Sequence, residues 1–75
     1  MNHPTTAIWS WTHKQGPRTF KAWVCNLGDR FSYEVCNVTC GMRERLVKKV
    51  DCKSLPEAKA EVFEFFEELN AKETL

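Results

Sequence analysis

The chain is poor in the residues from which most catalytic and nucleotide-binding sites are made. Its 75 residues include only three glycines and two histidines. The glycines are scattered at positions 16, 28 and 41, so no glycine-rich loop exists to cradle a phosphate. His3 and His13 both lie near the amino terminus, and no Ser or Cys stands in a nucleophile motif. Paired acid and base roles have no support either, because the carboxylates of residues 57–73 read as the solvated exterior of a helix. Catalysis is therefore not expected. No apolar run approaches the roughly 18 to 20 residues that span a bilayer, and the amino terminus lacks the continuous apolar core of a secretory signal. No membrane partner is expected, and the expected location is the cytoplasm.

Paired Cys-x-x-Cys knuckles are missing too. The four cysteines, Cys25, Cys36, Cys40 and Cys52, offer one close pair, Cys36-x-x-x-Cys40. In a reducing compartment they read as free thiols rather than disulfides. The hairpin described below places Cys25 and Cys36 on one face but four residues apart, roughly 13 Å at about 3.3 Å per residue. That exceeds the span of a disulfide and strains a shared ion. The expectation is small structural thiols, with no metal and no cofactor.

What the chain does have is the composition of one small folded domain: 43% hydrophobic, 12% aromatic and 28% charged residues. A chain this short buries only about 60% of its unfolded surface, which leaves little room for a deep cleft. The net charge of +1 conceals an asymmetry. Residues 1–53 carry nine basic side chains against four acidic ones, and residues 54–75 carry two against six, giving +5 and −4. One side of the domain is basic and another acidic.

The clearest local signal runs from Phe20 to Val38. A two-residue turn at Gly28-Asp29, with glycine supplying positive φ, pairs Leu27 with Arg30, Cys25 with Ser32, Trp23 with Glu34 and Lys21 with Cys36. One face of that hairpin collects Phe20, Ala22, Val24, Phe31, Tyr33 and Val35. The other collects Lys21, Trp23, Cys25, Arg30, Ser32, Glu34 and Cys36. A further strand follows from about Arg43 to Val50. Simple alternation puts Leu46 and Val50 toward the core with Glu44 and Lys48, and turns Arg43, Arg45, Val47 and Lys49 to the other face. Ahead of the hairpin, Ile8 to His13 alternates as a strand that holds Trp9 and Trp11 on one side, ended by the loop residues Lys14 to Arg18. At least one of these tryptophans is expected in the core.

Ser54 followed by Glu57 forms a capping box, with Pro56 in the first turn, and predicts a helix over about 55–70. Leu55, Ala58, Val62, Phe65, Phe66 and Leu69 share one apolar stripe, and Glu57, Glu61, Glu64, Glu67 and Glu68 occupy the rest. Residues 1–6 and 71–75 are expected to fray. The elements assemble into a single α+β two-layer domain, a three- or four-stranded antiparallel sheet with one carboxy-terminal helix packed on one face.

That leaves the other sheet face uncovered, with Trp23 among Lys21, Arg30, Arg43, Arg45 and Lys49, interrupted by Glu34. Rings stack on bases while cations neutralise phosphates, so nucleic acid is the most concrete expected partner. The alternative is a protein-binding inhibitor or adaptor that acts through this face, an edge strand or the acidic helix, or a homodimer joining open faces or edges.

Overall fold

The computed structural model describes residues 7–73. Four strands, β1 (Ala7–Gln15), β2 (Arg18–Asn26), β3 (Phe31–Asn37) and β4 (Glu44–Cys52), form one antiparallel sheet in the order β1-β2-β3-β4, and a helix α1 (Leu55–Glu73) follows. This is the expected α+β arrangement, with the amino-terminal strand joining the sheet at its edge. The ends expected to fray at 1–6 and 74–75 lie outside the described residues. Residues 71–73 continue the helix.

The β2–β3 register is the expected one. Trp23 pairs with Glu34, Cys25 with Ser32 and Lys21 with Cys36, and the Leu27 N–H donates to the Arg30 carbonyl at 2.9 Å beneath the turn. Gly28 takes φ 107°, a conformation closed to ordinary L side chains. The Asn26 side chain supports the turn by accepting the Gly28 N–H at 2.8 Å. The β1–β2 connection is tighter than the sequence suggests: Lys14, Gln15 and Arg18 are strand residues, and only Gly16 and Pro17 turn the chain. Gly16 at φ 61° followed by a ring-locked proline is the combination that suits a two-residue hairpin.

The phase of β4 departs from simple alternation. Arg45 pairs with Cys36 but Val47 pairs with Val35, so Leu46 is an extra residue, a bulge that shifts the side chains from Val47 to Val50 to the opposite face. Val47 and Lys49 consequently face the helix, while Val50 is 47% exposed. The assignment of Lys49 to the uncovered face is thus corrected, and so are those of Val47 and Val50. The physical reason is that the bulge lets the adjacent Leu46 and Val47 both pack against the core, whereas an unbroken register would turn Val47 to the uncovered face, and the same shift puts Lys49 rather than Lys48 opposite Tyr33 and beside Glu61. A second irregularity lies before Cys52, and β1 has its own at Ile8. Both edge strands are interrupted, which discourages edge-to-edge pairing with another chain.

The core lies between the sheet and α1. Phe20, Ala22, Val24, Tyr33, Val35 and Cys52 meet Ala58, Val62 and Phe66, with Phe31, Leu46, Val47, Leu55, Phe65 and Leu69 around them. Trp9, Trp11 and His13 pair with Val24, Ala22 and Phe20, so both tryptophans face the helix and extend this core. The helix begins where the capping residues place it: the Glu57 N–H donates to Ser54 Oγ at 3.2 Å, and the Ala58 N–H to the Ser54 carbonyl at 3.1 Å.

Candidate functional site

The uncovered sheet face is built from rows of cross-strand neighbours. One row runs Ser10, Trp23, Glu34, Lys48, and the next runs Thr12, Lys21, Cys36, Arg45. Trp23 is half-buried in the first row. Lys21 Nζ stands 5.6 Å from its ring centroid, and the Arg43 guanidinium, from the segment just before β4, stands 5.2 Å from it. Arg43 and Lys48 also border a shallow concavity with Trp23, Ser32 and Val50.

Of the residues singled out from the sequence, Lys21, Trp23, Arg43 and Arg45 come together on this face. Arg30 does not join them. It sits at the tip of the β2–β3 turn, where its guanidinium donates to both Asp29 carboxylate oxygens at 3.1 Å and holds that carboxyl below its ordinary range. Lys49 lies on the opposite side of the sheet, donating to Glu61 Oε1 and Oε2 at 3.1 and 3.2 Å. Lys48 takes its place, and Lys14 joins from β1 because His13 beside it faces the helix. Sequence reasoning missed Lys48 because simple alternation turns it to the helix side, the place that the bulge gives to Lys49.

The charge of the face is therefore Lys14, Lys21, Arg43, Arg45 and Lys48 against one carboxylate, Glu34. Glu34 accepts a long contact from the Cys36 thiol at 3.6 Å, and burial, followed by this carboxylate, pushes the thiol's pKa up. Cys36 is thus a protonated, buried group beneath Arg43 rather than a nucleophile. On the opposite side the outward surface of α1 presents Glu64, Glu67 and Glu68 to solvent, so the charge asymmetry of the sequence becomes a basic sheet backed by an acidic helix.

The cysteines do not converge. Cys25 and Cys36 belong to the uncovered face, Cys52 to the core, and Cys40 is exposed at a 3₁₀ turn at Thr39–Gly41. Cys52 has different neighbours, Glu57 and Glu61, whose carboxylate oxygens lie with its sulfur within 4.8 Å of one another. The sequence, read for cysteine spacing, did not suggest this group. Its charge is already countered: Lys49 and the Tyr33 hydroxyl, which donates to Glu61 Oε1 at 3.1 Å, both bind Glu61. Among the described residues no helix is long and apolar enough to cross a membrane.

No protein-family model matches the chain, and no curated protein or solved structure matches it.

Proposed function

We propose that the protein is a non-enzymatic binding module that takes single-stranded nucleic acid on its uncovered sheet face. The observation that carries this reading is Trp23 set among Lys21, Arg43, Arg45 and Lys48. A base can stack on Trp23 only when it is free of a partner strand, which selects unpaired segments over duplex. In the free protein two cations lie against the ring. A cation–π contact at such a site is worth about 0.5 to 1 kcal/mol, and a stacked base about 1 to 3 kcal/mol. The two contacts together are comparable to one stacked base, so an incoming base takes their place on the ring with the net gain coming from the freed cations, which move to the phosphates on either side of it.

The test is fluorescence anisotropy of labelled single- and double-stranded DNA and RNA across a salt series. Affinity for single strands is expected to fall steeply with salt, and Arg43→Gln and Arg45→Gln each to reduce the log-log slope by about 0.7. Trp23→Ala is expected to cost about 1 to 3 kcal/mol with the slope unchanged. Absence of binding at low salt refutes the reading. Glu34 in the middle of the basic face favours the second one, a protein partner whose own cation pairs with that carboxylate.

A further inference from the structure

The uncovered face holds one carboxylate among its cations, and a phosphate-binding surface loses by it unless the carboxylate has a ligand group of its own to meet. Glu34 stands directly opposite Trp23 across the β2–β3 ladder, with Lys48 opposite it on β4. Side chains paired in this way lie about 4.5 to 5.5 Å apart at Cβ, and Glu34 lines the same shallow concavity as the Trp23 ring. Among the described residues Glu34 forms no ion pair, although Lys48 and Arg43 border the same concavity.

The carboxylate is held from beneath. Cys36 is fully buried, and its thiol donates to Glu34 Oε2 at 3.6 Å, while Oε1 has no hydrogen-bond partner among the described residues. Burial, and then the nearby carboxylate, keep the thiol protonated, so it remains a donor to Glu34. The two oxygens of a carboxylate offer about four acceptor positions. The thiol takes one, and the others remain open to a ligand on the outer side.

A ring beside a two-oxygen acceptor can read a base. A base stacked on Trp23 extends toward the neighbouring strand, which lies about 4.8 Å away, and so brings an edge to Glu34. The bases differ in what that edge offers. Guanine presents two adjacent donors, N1–H and the 2-amino group, which match the two oxygens. Adenine and cytosine each present one amino group beside a ring nitrogen that is itself an acceptor, and uracil presents one N–H between two carbonyl oxygens, so each sets an acceptor against the carboxylate. Charge-assisted bidentate contacts are the strong ones.

We propose that Trp23 and Glu34 together select guanine from single-stranded nucleic acid, the ring stacking on the base and the carboxylate accepting from its N1–H and 2-amino group. The inference rests on the nucleic-acid reading above and gives Glu34 a role within it. Lys21, Arg43, Arg45 and Lys48 supply affinity for the backbone, and Glu34 supplies the choice of base.

The experiment is fluorescence anisotropy of the full chain with short labelled uridine strands that carry one central guanosine, inosine, adenosine or cytidine, beside the all-uridine strand, at low salt. The guanosine strand is expected to bind about tenfold more tightly than the adenosine, cytidine and all-uridine strands, within the range that one bidentate base contact supplies. Inosine keeps N1–H and lacks the 2-amino group, so its strand is expected to fall between them. Glu34→Gln replaces one acceptor oxygen with an amide donor and removes the charge. It is expected to abolish the preference and to bind the other strands more tightly than the unmodified protein does. Equal affinity for all strands overturns the guanine preference and leaves nucleic-acid binding standing, whereas no binding of any strand overturns both. A Glu34→Gln protein that binds every strand more tightly with the preference intact also overturns the proposal, because the carboxylate is then only a repulsive group and belongs to the protein-partner reading. Should Glu34→Gln fail to fold, the strand ratios of the unmodified protein, inosine included, still decide it.

Discussion

Tyr33 links the two layers through one hydrogen bond, and its chemistry gives the domain an alkaline limit. Burial, and then the hydrogen bond to Glu61, raise its pKa from 10.0 to about 12. The neutral phenol is the form that the fold holds. Its contribution to stability is therefore complete below about pH 10 and is lost as pH rises toward 12. Tyr33 is the chain's only tyrosine, so tyrosinate absorbance reports it alone. The native protein is expected to titrate near 12 and the denatured protein near 10.0, and coincident curves would refute the packed phenol. Lys49 shares Glu61 with Tyr33. Both partners are partly exposed, with side-chain exposures of 41% and 26%, so Lys49→Gln is expected to cost less than about 1 kcal/mol in a melting experiment. The same variant is expected to leave oligonucleotide affinity unchanged, in contrast to Arg45→Gln, because Lys49 lies behind the sheet.

At the scale of elements, α1 depends on its first turn and on one ring. Ser54→Ala removes the acceptor for the Glu57 N–H, and about 1 kcal/mol is the expected cost in denaturant unfolding. Phe66 is only 4% exposed and touches Trp11, His13, Phe20 and Phe65. Phe66→Ala is expected to cost about 3 to 5 kcal/mol, close to the whole stability of so small a domain. A folded variant with an unchanged melting temperature would contradict the packing described. Strand β4 has a different dependence. Its extra residue at Leu46 decides which of Val47, Lys48 and Lys49 faces the helix. Deleting Leu46 removes the extra residue and leaves Val47 opposite Val35, Lys48 opposite Glu34 and Lys49 opposite Tyr33, so the expected result is a folded protein by circular dichroism whose melting temperature is lowered by the lost packing of Leu46.

Over the whole molecule, the two charge populations of the sequence become two sides of a thin body. The sheet presents its cations outward from β1, β2 and β4, and the helix presents its glutamates from the opposite surface. Such an arrangement orients an approaching polyanion before contact, so the association rate is expected to carry most of the salt dependence of binding. Stopped-flow measurement across a salt series checks this, and a salt effect confined to dissociation would argue against it.

Much of the architecture is legible in the sequence because the interactions that specify it are local. Gly28 and Asp29 define the β2–β3 turn, the turn sets the register, and the register places Trp23 and Lys21 on one face with no information from elsewhere in the chain. Ser54 and Glu57 start the helix by the same kind of short-range bonding. Tertiary structure alone decided the rest. The bulge at Leu46 lets Leu46 and Val47, neighbours in sequence, both pack against the core, and it decides that Lys49 rather than Lys48 stands beside Glu61. The side of the sheet taken by Trp9 and Trp11 was settled by Phe63 and Phe66, whose rings lie 4.7 to 5.8 Å from them. Periodicity shows which residues share a face, but a face is buried or exposed only according to what the folded chain brings against it.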